Sequence, residues 1–139
     1  MSYASPIKIH LFRTITNFRS YKSGECIFRE GDPGVEMFAI RLGKVEIRVG
    51  DKPVATLEQD EVFGEMALVD RYPRSATAIA ATDCELVPIN AKYFTFLVGQ
   101  TPNFALQIMQ ILAVRLRHMD ISHSGVLPPG STKPGLPMQ

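Results

Sequence analysis

Residues 63–77 contain the groups that could bind a phosphate attached to a sugar. Gly64 has no side chain to block close approach, and the short helix predicted over residues 65–68 would point N–H groups at an anion. Arg74 could add planar, charge-assisted hydrogen bonds to phosphate oxygens. Glu65 would repel a bare phosphate. Its presence therefore indicates a hydroxyl donor beside the phosphate, such as a ribose 2′-OH.

The composition limits the classes of protein that fit. A chain of 139 residues with a net charge of +1 suits one domain, and no basic stripe supports direct DNA binding. Cys26 and Cys84 lack metal-type spacing, so we expect two reduced thiols, with a disulfide as the alternative in an oxidising compartment. We see no signal peptide and no apolar run of about 18 residues, so we expect a cytoplasmic protein without a membrane span.

Short apolar segments separated by turns predict strands between residues 18 and 90. The strongest turn signal is Gly-Asp-Pro-Gly at residues 31–34. Residues 44–49 alternate as in a strand buried on one face, and Gly50-Asp51 predicts a hairpin into residues 54–57. Further strands are expected at 26–28, 35–42, 74–82 and 84–89. Many short strands with turns between them are typical of a sandwich or barrel.

Two helices are predicted after the strands. Asn90 is a good N-cap for residues 91–98, and Gly99 is placed to end that helix. Pro102 suits the first position of a second helix over residues 102–119. One apolar face of that helix is predicted to pack on the strands; it comprises Ala105, Ile108, Leu112, Leu116 and Met119. Other apolar residues widen this face, so the alternative is a second contact, to a dimer partner or a ligand lid.

The chain is predicted to have three parts. Residues 1–17 form a lead-in with a short helix, and residues 18–120 form the main domain. Residues 121–139 contain four prolines and three glycines in 19 positions, which predicts a flexible tail because that composition cannot build a packed element.

The order of residues 63–77 resembles the phosphate-binding cassette of the cyclic nucleotide-binding domain family. That cassette reads Phe-Gly-Glu, a short helix ending in apolar residues, then Pro-Arg and small residues. The matching positions are Phe63-Gly64-Glu65, Met66-Ala67-Leu68, Pro73-Arg74 and Ser75-Ala76-Thr77. Upstream matches are Gly24-Glu25, Ile27-Phe28, Glu30-Gly31-Asp32, Phe38, Ile40, Gly43 and Val45. The resemblance covers residues 18–120. It implies a mainly β fold with flanking helices, a β-roll (jelly-roll-like barrel) followed by two C-terminal helices.

The resemblance also implies that individual residues of the cassette bind the ligand. Phe63 is the first residue of the cassette. Glu65 would accept a hydrogen bond from the ribose 2′-OH, and Arg74 would pair with the cyclic phosphate. The backbone N–H groups of Gly64, Met66 and Ala67 would surround that phosphate. Ser75 would add a hydroxyl donor, or simply fill a small site. The alanines that follow either leave room for the base or reflect tight packing; they are Ala76, Ala78, Ala80 and Ala81.

Two features depart from the family pattern. Asp60 stands where the family commonly has a glycine, although aspartate tolerates a left-handed turn better than most residues. Family members often use the terminal helix, or the segment after it, to cover the purine and pass the signal on, whereas here that helix runs into the Pro/Gly-rich tail. Arg-Ser-Ala at residues 74–76 resembles family members that bind cyclic AMP (cAMP), so the resemblance implies cAMP rather than cyclic GMP (cGMP), although Ser75 offers a hydroxyl that could reach a guanine.

The sequence therefore predicts a stand-alone cyclic nucleotide sensor in intracellular signalling, without enzymatic activity, that acts on an unidentified downstream protein. A homodimer through residues 102–119 is a further expectation. The alternative is a degenerate fold that binds other proteins and no ligand. A metal enzyme on a β-barrel fits less well, because His10, His118 and His123 all lie outside the strands and predict no metal site.

Overall fold

The computed structural model describes residues 8–70 and 72–124, the last seven through their backbone only. A 3-10 helix, His10–Thr14, comes first. The strands are β1 (Arg19–Tyr21), β2 (Cys26–Phe28), β3 (Glu36–Leu42), β4 (Val45–Val49), β5 (Lys52–Leu57), β6 (Val62–Phe63), β7 (Thr77–Ala80) and β8 (Cys84–Asn90). The helices are α1 (Met66–Val69), α2 (Ala91–Gln100) and α3 (Pro102–Ser124).

The strands form two antiparallel four-stranded sheets. One has the order β1-β8-β3-β6 and the other the order β2-β7-β4-β5. Strands distant in sequence are neighbours in both sheets, as in a jelly-roll, and α2 and α3 follow the last strand. The predicted fold class, a β-roll followed by two C-terminal helices, is confirmed.

Strand β3 is buried on both of its faces and separates two hydrophobic cores. Met37 and Ala39 face the helices, where they pack with Phe104 and Ile108 of α3. Phe38 and Ile40 face the other sheet instead. Because successive side chains of a strand point in opposite directions, one continuous apolar run serves both cores. The cassette at residues 63–77 begins on β6, directly beside this strand.

Several local predictions agree with the structure. Strands β4 and β5 form the predicted hairpin, with Val45 opposite Leu57. Asn90 caps α2, since its side-chain oxygen accepts a hydrogen bond from the Tyr93 N–H at 2.8 Å. Asp60 adopts the left-handed conformation, with φ of 75°. The 3-10 helix lies within the predicted lead-in and packs Phe12 edge-on against Phe104, with ring centroids 5.8 Å apart.

The ends of the helices differ from the prediction. Gly99 was predicted to end α2, but it lies inside this helix. Its φ is not positive, so it does not adopt the left-handed conformation of a C-terminal cap. Helix α2 ends at Gln100 instead, just before Pro102 opens α3. Helix α3 extends to Ser124, four residues into the predicted tail. Residues 125–139 lie outside the described residues.

The apolar face of α3 is also rotated from the predicted one. Among residues 102–117 of this helix, Phe104, Ile108 and Ile111 are buried, whereas Leu116 is 61% exposed. Ile108 of the predicted stripe is thus in the core together with Phe104 and Ile111 from beside it, and the side chain of Met119 is not described. Within residues 8–70 and 72–124, no helix has the length and apolar character needed to cross a membrane.

Candidate functional site

Arg74 lies in a buried cage formed by Phe28, Gly34, Glu36 and Gly64, which we call the arginine cage. Its Nη1 donates to the carbonyl oxygen of Gly64 at 3.2 Å, and its Nη2 donates to that of Glu36 at 2.8 Å. The guanidinium carbon lies 4.0 Å from the centroid of the Phe28 ring. Arg74 is only 8% exposed. The cage therefore fixes a cation in place through backbone carbonyls and an aromatic face.

The charge of Arg74 is incompletely compensated. Its Nε is buried and has no hydrogen-bond partner. Within the described part of the chain, no carboxylate lies at ion-pair distance from its guanidinium. Burial lowers the pKa of Arg74 below its ordinary value, and the negative charges of Glu36, Asp32 and Glu65 partly oppose that effect. Arginine stays protonated at neutral pH even so, which leaves a buried cation with unused donors.

Glu65 is the second buried charge of the site, at 7% exposure. Its Oε1 accepts a hydrogen bond from Nη1 of Arg115 on α3 at 2.5 Å. Nη2 of Arg115 donates to the carbonyl oxygen of Val62 at 2.6 Å. Arg115 thus connects the terminal helix to both ends of the segment that carries Phe63 and Gly64.

Arg115 is a site residue that sequence reasoning missed. An arginine on a terminal helix is usually a solvated charge, and nothing in its local sequence distinguishes it from the exposed Arg117 nearby. The one available signal was the predicted ligand contact of Glu65, since a carboxylate that is buried at such a site requires a partner. Fifty residues separate the two side chains.

Gly64 allows the backbone to pass close to Arg74. Its φ is 76°, and a Cβ built on it would lie 2.9 Å from Nη1 of Arg74. Its carbonyl oxygen also accepts from the N–H of Ala67 at 3.2 Å, so one of the three backbone donors expected around a phosphate already has an acceptor. Helix α1 has only four residues, so its dipole is small. The positive charge of this site comes mainly from Arg74.

The other predicted residues surround this centre. Phe63 is buried, and its ring centroid lies 5.4 Å from that of Phe38 and 5.9 Å from that of Phe28. It therefore packs against the aromatic residue of the arginine cage. Met66 is 44% exposed at the start of α1. Ser75 is exposed in the bend before β7, next to Arg74. The structure thus brings Gly64, Glu65 and Arg74 together, with Phe63 beneath them.

The alanines that follow Ser75 have different positions. Ala76, Ala78 and Ala80 are buried in the core between the two sheets. Ala81 is exposed. This arrangement supports tight packing between the sheets as the reason for three of the four small residues.

Metal ligands and reactive thiols are the other groups that could support chemistry. In residues 8–70 and 72–117, whose side chains the structure describes, no group of three or more His, Cys, Asp or Glu side chains is arranged to hold a metal ion. Cys26 and Cys84 are both free thiols, one half-buried and one buried. Burial raises the pKa of Cys84 to about 11.

The sequence profile of the cyclic nucleotide-binding domain matches residues 18–101. The chain belongs to this family. The resemblance of residues 63–77 to the family's cassette is therefore confirmed at the level of the family. The matched family is one of ligand-binding regulatory domains, and the β-roll with its terminal helices is the family fold.

Relatives of this family cover most of the chain. The Cyclic AMP receptor protein of Thermus thermophilus is 33% identical over 122 residues, which are 84% of this chain and 56% of that protein. A cyclic nucleotide-gated potassium channel of Rhizobium etli is 40% identical over 87 residues, which are 63% of this chain and 24% of the channel. The crystal structure of the Thermus thermophilus Catabolite Activator Protein superposes with a TM-score of 0.71 at 30% identity, covering 83% of this chain and 62% of that one. This chain thus spans less than two thirds of each of these relatives.

Proposed function

We propose that this chain is a cyclic nucleotide sensor in which Arg74 binds the cyclic phosphate. The observation that carries this proposal is the buried guanidinium of Arg74, which has an unpartnered Nε and, among the described residues, no carboxylate at ion-pair distance. A buried cation of this kind is costly unless an anion compensates it. A phosphate supplies that anion and accepts the hydrogen bonds that a guanidinium can donate.

Glu65 is proposed to accept a hydrogen bond from the ribose 2′-hydroxyl. Arg115 bonds one of its carboxylate oxygens, and a carboxylate can accept further hydrogen bonds at its second oxygen. A negative charge next to a phosphate site disfavours simple phosphate and favours a ligand that also presents a hydroxyl. The backbone N–H groups of Gly64, Met66 and Ala67 would surround the phosphate. The N–H of Ala67 would be shared between the phosphate and the carbonyl oxygen of Gly64.

We favour cAMP over cGMP as the ligand. The Thermus thermophilus relative is named as a cyclic AMP receptor, and the small Ser75 follows Arg74 in this chain. Ser75 is exposed, so its hydroxyl is available to a ligand. The same hydroxyl could serve guanine, and the proposal is therefore tested with both nucleotides.

Ligand binding is proposed to act on the terminal helices through Glu65. Arg115 connects α3 to this carboxylate. A ligand that hydrogen-bonds to Glu65 would therefore act on the side chain that α3 contacts. A cavity of about 190 Å³ separates α1 from α2 and α3, and it is lined by Glu65, Leu68, Phe94 and Ile108 among others. This space beside the helices gives them room to shift, and Ile108 of α3, which also belongs to the core, would move with them. The shift can be no larger than the difference in ligand affinity between the two states allows.

Helix α3 is also proposed to pair with a second copy of the chain. Leu106, Met109 and Leu116 are 49%, 57% and 61% exposed. With the exposed Ala113, they follow the alternating three- and four-residue spacing of a coiled-coil seam. Two copies of such a seam are complementary to each other.

The output of the sensor is proposed to pass to a downstream protein in the cytoplasm, without catalysis and without direct DNA contact by this chain. The relatives named above include both a receptor protein and a channel, so the family serves different outputs. A degenerate domain that binds only proteins would have no use for the uncompensated charge of Arg74.

Thermal unfolding with and without nucleotide tests the proposal. A ligand at a hundred times its dissociation constant adds about 2.7 kcal/mol to the free energy of unfolding, which raises the melting temperature by several degrees in a domain of this size. We expect a rise with millimolar cAMP and a smaller one with millimolar cGMP, and no rise with adenosine. No shift with either cyclic nucleotide would support the degenerate domain instead.

A further inference from the structure

We propose that Gly34 and Phe28 are positioning residues that hold the guanidinium of Arg74 in the orientation that binds phosphate. This inference rests on the proposed function, because it concerns how the phosphate-binding cation is fixed. Both residues lie in or near turns upstream of the cassette, and Gly34 ends the predicted turn at residues 31–34. Both lie close to the guanidinium.

Gly34 provides the space that the guanidinium occupies. A Cβ built on Gly34 would collide with Nε of Arg74, and would lie 2.5 Å from its Cζ and 2.9 Å from its Nη2. The backbone of Gly34 is not left-handed, so an alanine could adopt its conformation without strain. The missing methyl group, rather than backbone freedom, is therefore what this position requires. Gly34→Ala would push the guanidinium out of its place and leave the turn intact.

Phe28 fixes the plane of the same group. Its ring centroid lies 4.0 Å from the guanidinium carbon, within the range of a cation–π interaction. The ring is itself held by Phe38 and Phe63, whose centroids lie 6.1 Å and 5.9 Å away. The ring therefore blocks movement of the guanidinium toward Phe28. The two carbonyl acceptors, on Gly64 and Glu36, then set its direction.

This arrangement predicts that orientation, and not charge alone, decides the affinity for phosphate. An arginine displaced by alanine at position 34 keeps its charge but loses its hydrogen-bond direction. We expect Gly34→Ala to weaken cAMP binding by about tenfold or more, as for the loss of one charge-assisted hydrogen bond. Phe28→Leu keeps an apolar side chain and removes the aromatic face. It should weaken cAMP binding by about two- to thirtyfold.

The experiment compares calorimetric affinities for cAMP in the wild type, Gly34→Ala and Phe28→Leu. Gly99→Ala is the matched control, because a Cβ at Gly99 would meet nothing within 4 Å and its backbone is not left-handed. A second measurement follows the Nε–H signal of Arg74 by nitrogen-15 NMR without ligand. That signal should be protected from solvent exchange in the wild type and exposed in Gly34→Ala.

A double-mutant cycle separates positioning from a merely structural effect. In an Arg74→Ala background, Gly34→Ala should have no further effect on cAMP binding, because no guanidinium remains to be displaced. The inference is overturned if Gly34→Ala binds cAMP as tightly as the wild type or more tightly, or if its effect persists without Arg74. A wild-type protein that binds no cyclic nucleotide would instead overturn the proposed function and this inference with it. The NMR result then shows separately whether Gly34 holds Arg74 in place.

Discussion

Arg115 on α3 and Glu65 at the start of α1 form a buried ion pair, with Nη1 and Oε1 2.5 Å apart. The two side chains are only 12% and 9% exposed. The pair joins the terminal helix to the carboxylate that is proposed to bind ribose. On the proposed assignment of Glu65 to ribose, stability and ligand binding depend on the same contact.

Replacing Arg115 by alanine should destabilise the fold. The change leaves the buried charge of Glu65 without its partner, which typically costs about 3 kcal/mol or more. Urea unfolding of the two proteins measures the difference. Arg117→Ala is the matched control, since Arg117 is an exposed arginine on the same helix. Equal midpoints for Arg115→Ala and Arg117→Ala would show that the ion pair does not stabilise the protein.

Glu65 should decide whether the protein distinguishes ribose from deoxyribose. We expect the wild type to bind cAMP about 10- to 100-fold more tightly than 2′-deoxy-cAMP, because a hydrogen bond to a charged acceptor is lost. In Glu65→Ala this ratio should fall close to one. The ratio is measured by calorimetry with both ligands, and a general loss of stability would not change it. A preserved ratio in Glu65→Ala would assign ribose recognition to another residue.

The sequence indicated the candidate residues of the cassette because they are contiguous and their types are distinctive, and their roles toward a ligand stay predictions. Gly64, Glu65 and Arg74 lie within eleven positions of one another, and the structure places them together. It could not predict Arg115, since an arginine on a helix is ordinarily solvated and the contact spans 50 residues. The positions of Phe28 and Gly34 beside Arg74 could not be predicted either. An apolar residue in a strand and a glycine in a turn are fully explained by the fold, without any contact to Arg74. The predicted end of α2 at Gly99 is wrong, because a glycine is compatible with a helix end but does not require one. The helix continues to Gln100.

The exposed seam of α3 should control the oligomeric state. We expect light scattering of the wild type to give twice the 15.4 kDa mass of one chain. Leu116→Glu and Met109→Glu should each give the monomer mass, because two like charges would meet at a coiled-coil core. Leu42→Glu, at a residue 50% exposed on the end of β3, is the control that keeps the dimer. A monomeric wild type would reject the dimer.

Cys84 should make the stability of the protein fall in alkaline solution. Burial, with smaller effects of Asp83 and Glu25, raises the pKa of this thiol from 9.0 to about 11 in the folded protein. Well below pH 9 the thiol is protonated in both states and has no effect. Between about pH 9 and pH 11 the unfolded chain ionises first, so the free energy of unfolding decreases.

Urea unfolding of the wild type and Cys84→Ala over this pH range measures the effect. The variant begins less stable, because its core loses the sulfur atom, but it should lose less stability between pH 9 and pH 11. Parallel pH profiles for the two proteins would show that Cys84 ionises equally easily in the folded and unfolded states.

Calorimetric titration of cAMP into the wild type and Arg74→Ala tests the central claim most directly. Removing one partner of a buried charge contact typically costs about 2–5 kcal/mol, so Arg74→Ala should bind about 30-fold to several thousand-fold more weakly. Arg48→Ala, at a half-exposed arginine paired with Glu46 on β4, should bind as the wild type does. Equal affinities for the wild type and Arg74→Ala would contradict the assignment of Arg74 as the phosphate-binding residue.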